Sequence, residues 1–192
     1  MTGFDCRNGV LCAEDVPLTR IAEEDGTPCY VYSRAAIESA YAEYSQALAG
    51  HDALVCYAVK ANANLAILNL FARLGAGFDV LSGGELARVI AAGGDPAKVI
   101  FSGVGKSESE LAQALAAGVH CLNVESPAEL DRVSAVAGRI GRRAPVSLRV
   151  NPDVDPKTHP YISTGLRSNK FGVAYEDALP LYRRARTLPN LD

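Results

Sequence analysis

The amino-acid sequence predicts an α/β fold made of consecutive strand–helix units around a parallel sheet. Short apolar runs start near residues 53, 78, 99, 121 and 146, and this spacing of 21 to 25 residues is typical of βα repeats. No two-residue hairpin turn separates these runs, so we expect the strands to be parallel. Two architectures fit the pattern, a doubly wound open sheet and a (β/α)8 barrel.

The part of the chain before this repeat is less regular. Residues 1–29 contain short apolar pieces separated by glycines and prolines, and we expect them to form an N-terminal extension. Residues 30–32, Tyr-Val-Tyr, are predicted to be a strand because aromatic and β-branched residues favour extended chains. Ser33 is expected to cap a helix that runs to about residue 49 and ends at Gly50.

The strands of the repeat are predicted from their apolar runs. The first is predicted at 53–59, where an uninterrupted apolar run is typical of a strand buried on both faces. The later strands are predicted at 78–81, 99–101, 121–124 and 146–150. The helix after the first strand is predicted from one apolar stripe, formed by Ile67, Leu70, Phe71 and Leu74.

Several helix starts carry capping signals. Ser107 and Glu110 have the spacing of a capping box, in which each side chain satisfies a backbone N–H of the first turn. Ser126 followed by Pro127 predicts another helix start, since proline at the first helical position gives up no hydrogen bond. A long polar loop follows the last predicted strand, and the final helix is expected from about residue 175 to 188.

Composition and charge exclude several classes of protein. The 192 residues include 19 Lys and Arg against 22 Asp and Glu, so the net charge of −3 disfavours a nucleic-acid partner. No apolar run is long enough for a membrane span, and the first residues lack the pattern of a secretory signal. The 5 cysteines form no CxxC pair, which disfavours a structural metal site or a disulfide framework. We therefore expect a cytoplasmic protein with no bound metal.

Polar residues follow the predicted strands and should meet at one edge of the sheet, where α/β folds place their function. Lys60 ends the first apolar run, so we expect a buried stem with its amine at this edge. A desolvated amine can attack a carbonyl and form a Schiff base. The alternative is a lysine that only extends its charged end from a strand into water.

Other residues at the same edge have both functional and structural interpretations. Asp79 could orient a ligand or cap a turn, and Arg149 could bind an anion or pair with Asp79, Glu85 or Glu125. Glu85 has the spacing of a capping box with Ser82, which is a structural role.

Nucleotide-binding motifs are absent from this edge, and one loop stands out. No GxGxxG motif follows the first strand, and the turn at 103–106 lacks the spacing of a phosphate loop. His159 lies in the long loop before the last helix, and loops of that length are often functional.

The segments that carry these residues match a known family. YAVKAN at 57–62 resembles the pyridoxal-phosphate lysine motif of the alanine-racemase-like barrel decarboxylases. Further segments resemble the diaminopimelate decarboxylase family, namely GAGFDVLSGGEL at 75–86, IFSGVGKS at 100–107, NVES at 123–126 and the stretch 148–172. TPCYVYSR at 27–34 fits the segment that precedes the barrel. The resemblance covers nearly the whole chain and is most specific at 148–172.

This resemblance implies a pyridoxal 5'-phosphate-binding (β/α)8 TIM barrel. It implies that Lys60 binds the cofactor covalently, that Asp79 and Arg149 line the cofactor side, and that Asn151 and His159 border the substrate entrance. The implied reaction is the decarboxylation of meso-2,6-diaminopimelate to L-lysine and CO2 in a homodimer with its site at the interface. Residues 1–29 would pack with a C-terminal β domain.

The family pattern also leads us to expect a partial barrel. Family members continue with a HIGS-type strand, a glycine-rich phosphate-binding loop, an EPGR-type segment and the C-terminal β domain, and none of these motifs occurs in residues 1–192. A whole barrel needs about 250 residues. Residues 30–192 are therefore expected to form about five of the eight βα units, and we expect this chain alone to be inactive.

Three other interpretations remain open from the sequence. The AVKAN motif is shared with racemases and with a non-catalytic pyridoxal-phosphate-binding barrel, so a regulatory protein fits the lysine as well. A related decarboxylase could act on another amino acid. The chain could also be one half of an enzyme that is completed by a separate C-terminal chain.

Overall fold

The computed structural model describes residues 3–154 and 171–192. The chain divides into two compact units, Met1–Val55 and Cys56–Asp192, and each is described by itself. The boundary predicted between residues 29 and 30 falls inside the first unit and stays a prediction. None of the helices in the described ranges is both long enough and apolar enough to cross a bilayer.

The first unit contains an antiparallel sheet and two helices. Its elements are β1 (Phe4–Arg7), β2 (Val10–Ala13), β3 (Val16–Pro17), α1 (Leu18–Asp25) and α2 (Arg34–Ala47). The strand order is β1-β2-β3, with Phe4 opposite Ala13. The predicted cap of α2 is confirmed, because Ser33 Oγ accepts a hydrogen bond from the backbone N–H of Ala36.

The strand predicted at residues 30–32 is wrong. This segment is irregular, and the side chain of Tyr30 is almost wholly exposed. Strand propensity acts only where a neighbouring strand supplies hydrogen bonds and packing, and the described residues of this unit supply none there. The local sequence pattern therefore predicted a strand that this segment does not form.

The second unit repeats strand and helix in chain order. Its elements are β4 (Cys56–Ala58), α3 (Leu65–Arg73), β5 (Gly77–Val80), α4 (Gly83–Ala91), β6 (Val99–Phe101), α5 (Glu108–Ala117), β7 (Cys121–Val124), α6 (Pro127–Arg139), β8 (Val146–Leu148), β9 (Val150–Asn151), β10 (Val173–Ala174) and α7 (Tyr175–Ala185). Short 3-10 turns occupy Val59–Ala61 and Pro96–Lys98.

The sheet topology decides between the two architectures. Strands β4 to β8 form a parallel sheet in the order β4-β5-β6-β7-β8, the same order as in the chain. A doubly wound sheet reverses its strand order at a switch point, whereas barrel strands follow one another around the barrel. The observed order is therefore that of a barrel.

The two faces of this sheet differ in burial. One set of alternating side chains is fully buried in the apolar core: Phe78, Val80, Val99, Phe101, Leu122 and Val124. The intervening positions are half-buried and include Asp79, Asn123 and Ser147. Because neighbouring side chains in a strand point to opposite faces, these polar groups share the face opposite the core, called here the inner face.

The predicted helix starts are largely confirmed. Ser107 and Glu110 form the expected capping box of α5, and Ser126 caps α6 with Pro127 in its first turn. The stripe predicted for α3 is only half-buried, and Leu68 is the fully buried residue of this helix. Helix α3 is therefore oriented with Leu68 toward the core. The sequence did not predict this orientation, because α3 carries several overlapping apolar stripes.

The ends of three elements also differ from the prediction. β4 begins only at Cys56 and is half-buried, because β5 is its one partner among the described strands. The strand expected at 146–150 is split into β8 and β9, and β9 pairs with β10. The last helix ends at Ala185 rather than near residue 188.

Candidate functional site

The candidate site lies at the carboxyl edge of the sheet in the second unit. The ends of parallel strands meet at one edge, so the residues in or after β4, β5, β7 and β8 lie along it. The structure brings Lys60, Asp79, Glu125 and Arg149 to this edge. A cleft of about 550 Å³ lies elsewhere, beside Val146, Leu148 and α7, and none of the sequence-predicted site residues lines it.

Lys60 lies in the turn that follows β4, and it is exposed. The expectation of a buried stem is therefore wrong, because the strand ends at Ala58 and Val59 takes the fully buried position. Lys60 makes no hydrogen bond or ion pair with any described residue. Its amine is thus available to react with an aldehyde.

The turn that holds Lys60 is anchored on both sides. The Tyr57 hydroxyl donates a hydrogen bond to the backbone oxygen of Asn62 over 3.2 Å, across the lysine. The Tyr57 ring stacks on Phe71 of α3 with centroids 4.1 Å apart. Asn62 Oδ1 accepts from the N–H of Asn64, which itself caps α3. The backbone that carries Lys60 is therefore tied to packed elements.

Asp79 lies on the inner face of β5, opposite Ala58 of β4. Its Oδ1 accepts a hydrogen bond from Ser102 Oγ at 2.6 Å. Asn123 Nδ2 donates to the same Ser102 oxygen at 2.9 Å, and Ser147 Oγ donates to Asn123 Oδ1. Asn123 and Ser147 are not among the sequence-predicted site residues. Their signal was a polar residue alternating with apolar ones in each strand.

The charge of Asp79 also reaches the neighbouring strand. The pKa of the Cys56 thiol is raised, first by burial, then by the negative charge of Asp79 and by Cys121. A raised pKa keeps the thiol protonated and unreactive at neutral pH. The inner face therefore combines an inert thiol with a carboxylate.

A buried ion pair that the sequence did not predict lies beneath the edge. Lys106 is 3% exposed, and its ammonium donates to Glu129 Oε1 at 2.7 Å and to the backbone oxygens of Gly103 and Asn123 at 2.6 Å each. All three ammonium hydrogens therefore have acceptors. Glu129 Oε2 accepts from the N–H of Glu125 at 2.8 Å. These bonds link the carboxyl ends of β6 and β7. They also leave the Lys106 ammonium without a free hydrogen to donate to a ligand.

Glu125 is the ion-pair partner of Arg149. The sequence left several carboxylates open as partners, and the structure identifies this one. Both carboxylate oxygens of Glu125 lie 3.1 Å from Arg149 Nη1, and the carboxylate also accepts from the N–H groups of Gly103 and Gly172. The Arg149 guanidinium lies 4.7 Å from the centroid of the Phe171 ring. Its other N–H groups have no acceptor in the described part of the chain, so they can bind an anion.

Gly172 is required beside Arg149. Its φ is +72°, and a Cβ there would lie 2.8 Å from the backbone oxygen of Arg149. Only glycine fits such a close backbone approach in the left-handed region. The hydrogen bond from Gly172 to Glu125 depends on this conformation.

Glu85 has a structural role. Ser82 Oγ accepts from the N–H of Glu85, whose Oε2 accepts from the N–H of Leu81 at 2.7 Å. Asn151 is buried at the end of β9, and its Oδ1 accepts from the N–H of Asp153 at 3.0 Å. His159 lies outside the described residues. Across residues 3–154 and 171–192, no cluster of three His, Cys, Asp or Glu side chains is arranged to hold a metal ion.

Glu110 links two helix starts near the edge. One oxygen accepts from the N–H of Gly83 at 2.9 Å, and the other accepts from the N–H of Ser107 at 3.0 Å. These bonds, led by the one from Gly83, hold the pKa of Glu110 below its ordinary value. The carboxylate thus serves as a cap for both α4 and α5.

Comparison with known proteins defines the class. Residues 34–192 match the family described as pyridoxal-dependent decarboxylase, pyridoxal binding domain, so the chain belongs to this family. Within that class the similar curated proteins are diaminopimelate decarboxylases. The one from Pseudomonas aeruginosa is 62% identical over 192 residues, which cover 100% of this chain and 46% of that protein.

Solved structures agree with this membership. The structure of diaminopimelate decarboxylase from Helicobacter pylori complexed with L-lysine has a TM-score of 0.88 at 44% identity, covering 91% of this chain and 44% of that one. The enzyme from M. jannaschii in co-complex with L-lysine has a TM-score of 0.91 at 37% identity, covering 100% of this chain and 47% of that one.

These matches confirm the predicted fold class, an α/β fold containing part of a (β/α)8 barrel. The chain spans a little under half the length of the curated relatives it matches.

Proposed function

We propose that this chain is the cofactor-binding portion of a pyridoxal-phosphate-dependent decarboxylase, with Lys60 as the residue that binds the cofactor. The observation that carries the proposal is the exposed Lys60 amine, which has no partner among the described residues, in a turn tied to packed elements. An aldehyde requires such an amine, and an anionic cofactor requires donors such as those of Arg149. The polar groups of this edge therefore fit pyridoxal phosphate.

Lys60, Asp79 and Arg149 each have a role that their surroundings suggest, and the roles of the other two residues follow from the family resemblance. When bound, pyridoxal phosphate withdraws electrons from the carbon that loses CO2. Lys60 Nζ would hold the cofactor covalently at its aldehyde carbon. Asp79 presents a carboxylate oxygen that can accept a hydrogen bond from a protonated nitrogen, and Arg149 presents N–H donors to an anionic oxygen. Asn151 and His159 are proposed to border the substrate.

The proposed reaction is the decarboxylation of meso-2,6-diaminopimelate to L-lysine and CO2. It is supported by the names of the curated relatives and by the L-lysine in the two similar structures. We propose that the chain takes part in this reaction and does not perform it alone.

Covalent attachment of the cofactor tests the role of Lys60. The purified chain is incubated with pyridoxal phosphate, reduced with borohydride and analysed by peptide mass spectrometry. We expect the modification on Lys60 and its loss in Lys60→Ala, whereas the control Lys98→Ala retains it. Attachment to the Lys60→Ala chain at the wild-type level would show that another amine holds the cofactor.

Complementation tests the reaction and the substrate. This chain is mixed with the remaining C-terminal part of the P. aeruginosa relative, and CO2 release is measured from meso-diaminopimelate and from L-lysine, L-arginine and L-ornithine. We expect release from meso-diaminopimelate that depends on Lys60 and on both parts. Preference for another amino acid would indicate a related decarboxylase, and cofactor binding without turnover would favour a non-catalytic barrel.

We also propose that the enzyme is a cytoplasmic homodimer without nucleic-acid or membrane partners. The supporting observations are the net charge of −3 and the family resemblance. Light scattering of the complemented enzyme is expected to give the mass of two copies of each part. Cell fractionation is expected to recover it with cytoplasmic proteins.

A further inference from the structure

A chain of polar side chains crosses four strands on the inner face. It begins at Ser147 on β8, continues through Asn123 on β7 and Ser102 after β6, and ends at Asp79 on β5. The Cys121 thiol also faces Asn123 Oδ1, at 3.5 Å. No described residue beyond Asp79 continues this chain, so the carboxylate is its terminal acceptor.

The direction of every hydrogen bond in this chain follows from its carboxylate end. An ionised carboxylate only accepts, so the Ser102 hydroxyl must donate to Asp79. Having given its one hydrogen, Ser102 accepts from its other neighbour, which must be the amide nitrogen of Asn123. The amide oxygen of Asn123 then faces Ser147 as an acceptor. The orientation of the Asn123 amide is thereby determined.

This direction has a consequence for Asp79. Hydrogen bonds in such a chain polarise one another toward the terminal acceptor. Oδ1 of Asp79 is engaged by Ser102, and Oδ2 has no partner among the described residues. The side chain is thus held in one rotamer with one oxygen presented on the inner face.

We propose that Ser102, Asn123 and Ser147 are positioning residues that fix the orientation of the Asp79 carboxylate. The relevance of this orientation to the cofactor rests on the proposed function, in which Asp79 lines the cofactor side. The competing explanation is that the polar side chains only satisfy one another's hydrogen bonds on a half-buried face. The two explanations differ in one respect. Only a positioning role makes the effect of a residue such as Ser102 on cofactor binding depend on the presence of Asp79.

A measurement on the cofactor-free chain tests the connection directly. The side-chain amide protons of Asn123 are followed by 15N-edited NMR in the wild type and in Asp79→Ala. We expect Asp79→Ala to shift these resonances and to speed their exchange with water severalfold, although Asp79 lies two strands away. Unchanged Asn123 resonances in Asp79→Ala would overturn the proposal. The buried serine of α6 gives a matched control, since Ser134→Ala should leave them unchanged.

A double-mutant cycle on cofactor affinity tests the positioning role. We expect Ser102→Ala to weaken binding of pyridoxal phosphate about tenfold, as for a lost hydrogen bond to a charged group. In the Asp79→Ala background the same change should weaken it less than about twofold, because a positioning residue acts through its target. Equal effects in both backgrounds would mean that Ser102 acts independently of Asp79 and would contradict the proposal.

The two measurements separate the inference from the proposed function. If the wild-type chain binds no pyridoxal phosphate, the proposed function fails, while the Asn123 resonances still decide whether Asp79 and Asn123 are connected, without which the positioning role fails as well. If binding is normal and the cycle shows no coupling, the positioning role fails and the proposed function stands. Ser147→Ala should weaken binding less than Ser102→Ala does, because it lies farthest from Asp79.

Discussion

Lys60 and Lys106 lie at the same end of one sheet in opposite surroundings. Lys106 is buried with three acceptors, one of them a buried carboxylate, whereas Lys60 is exposed and unpartnered among the described residues. A buried ammonium that has every hydrogen bonded is part of the structure, and an unpaired amine on an anchored turn is available for chemistry. The contrast shows that surroundings, rather than residue type, distinguish the two roles.

The largest effect is expected where the buried pair is broken. Lys106→Met leaves the Glu129 carboxylate buried without its cation, so we expect a loss of about 3–5 kcal/mol in the free energy of unfolding. Chemical denaturation measures this loss. The double variant Lys106→Met with Glu129→Gln removes both charges and keeps an acceptor for the N–H of Glu125, so it should recover much of the stability. A double variant no more stable than Lys106→Met would show that the ion pair is not the reason.

The second-largest loss of stability is expected when the backbone beside Arg149 is disturbed. Gly172→Ala places a side chain at a φ of +72° and a Cβ 2.8 Å from the Arg149 oxygen. We expect a loss of more than about 1–2 kcal/mol, the usual cost of the left-handed region. Gly141→Ala is the matched control, because φ is +65° there and a Cβ would meet nothing within 4 Å. Equal losses in the free energy of unfolding for the two variants would show that the close approach to the Arg149 oxygen contributes nothing.

A smaller effect depends on pH. Because its folded-state pKa lies below the ordinary value of 4.5, the Glu110 carboxylate contributes stability that is present above pH 4.5 and lost as the pH falls through the folded-state pKa. Glu110→Gln should therefore be less stable than wild type at neutral pH and lose less stability on acidification. Glu43→Gln, which changes an exposed carboxylate with no hydrogen bond or ion pair to a described residue, should follow the wild-type profile. Parallel profiles for all three proteins would rule out this role.

The smallest effect is expected at Lys60 itself. Lys60→Ala should change the free energy of unfolding by less than about 0.5 kcal/mol, because the side chain is exposed and makes no bond to a described residue. The same variant should abolish covalent attachment of the cofactor. A large loss of stability would mean that Lys60 supports the fold, and the contrast with Lys106 would disappear.

Much of the fold was predictable because its signals are local. The repeat of apolar runs, the capping box at Ser107 and the cap at Ser126 depend on residues close in the chain, and the structure confirms them. The failures have tertiary causes. The segment 30–32 has no partner strand in the part of the chain that the structure describes, and α3 buries Leu68 because the sheet selects one of its apolar stripes.

The sequence by itself determined the βα repeat, the parallel strands and the motif that singles out Lys60. Only the tertiary structure decided that the strands follow barrel order, that Lys106 is neutralised by Glu129 and that Arg149 pairs with Glu125. It also assembled the chain of hydrogen bonds that ends at Asp79, whose members come from consecutive strand–helix units and lie 21 to 24 residues apart in the sequence. Strand register sets such contacts, and register depends on how whole faces pack rather than on any local pattern.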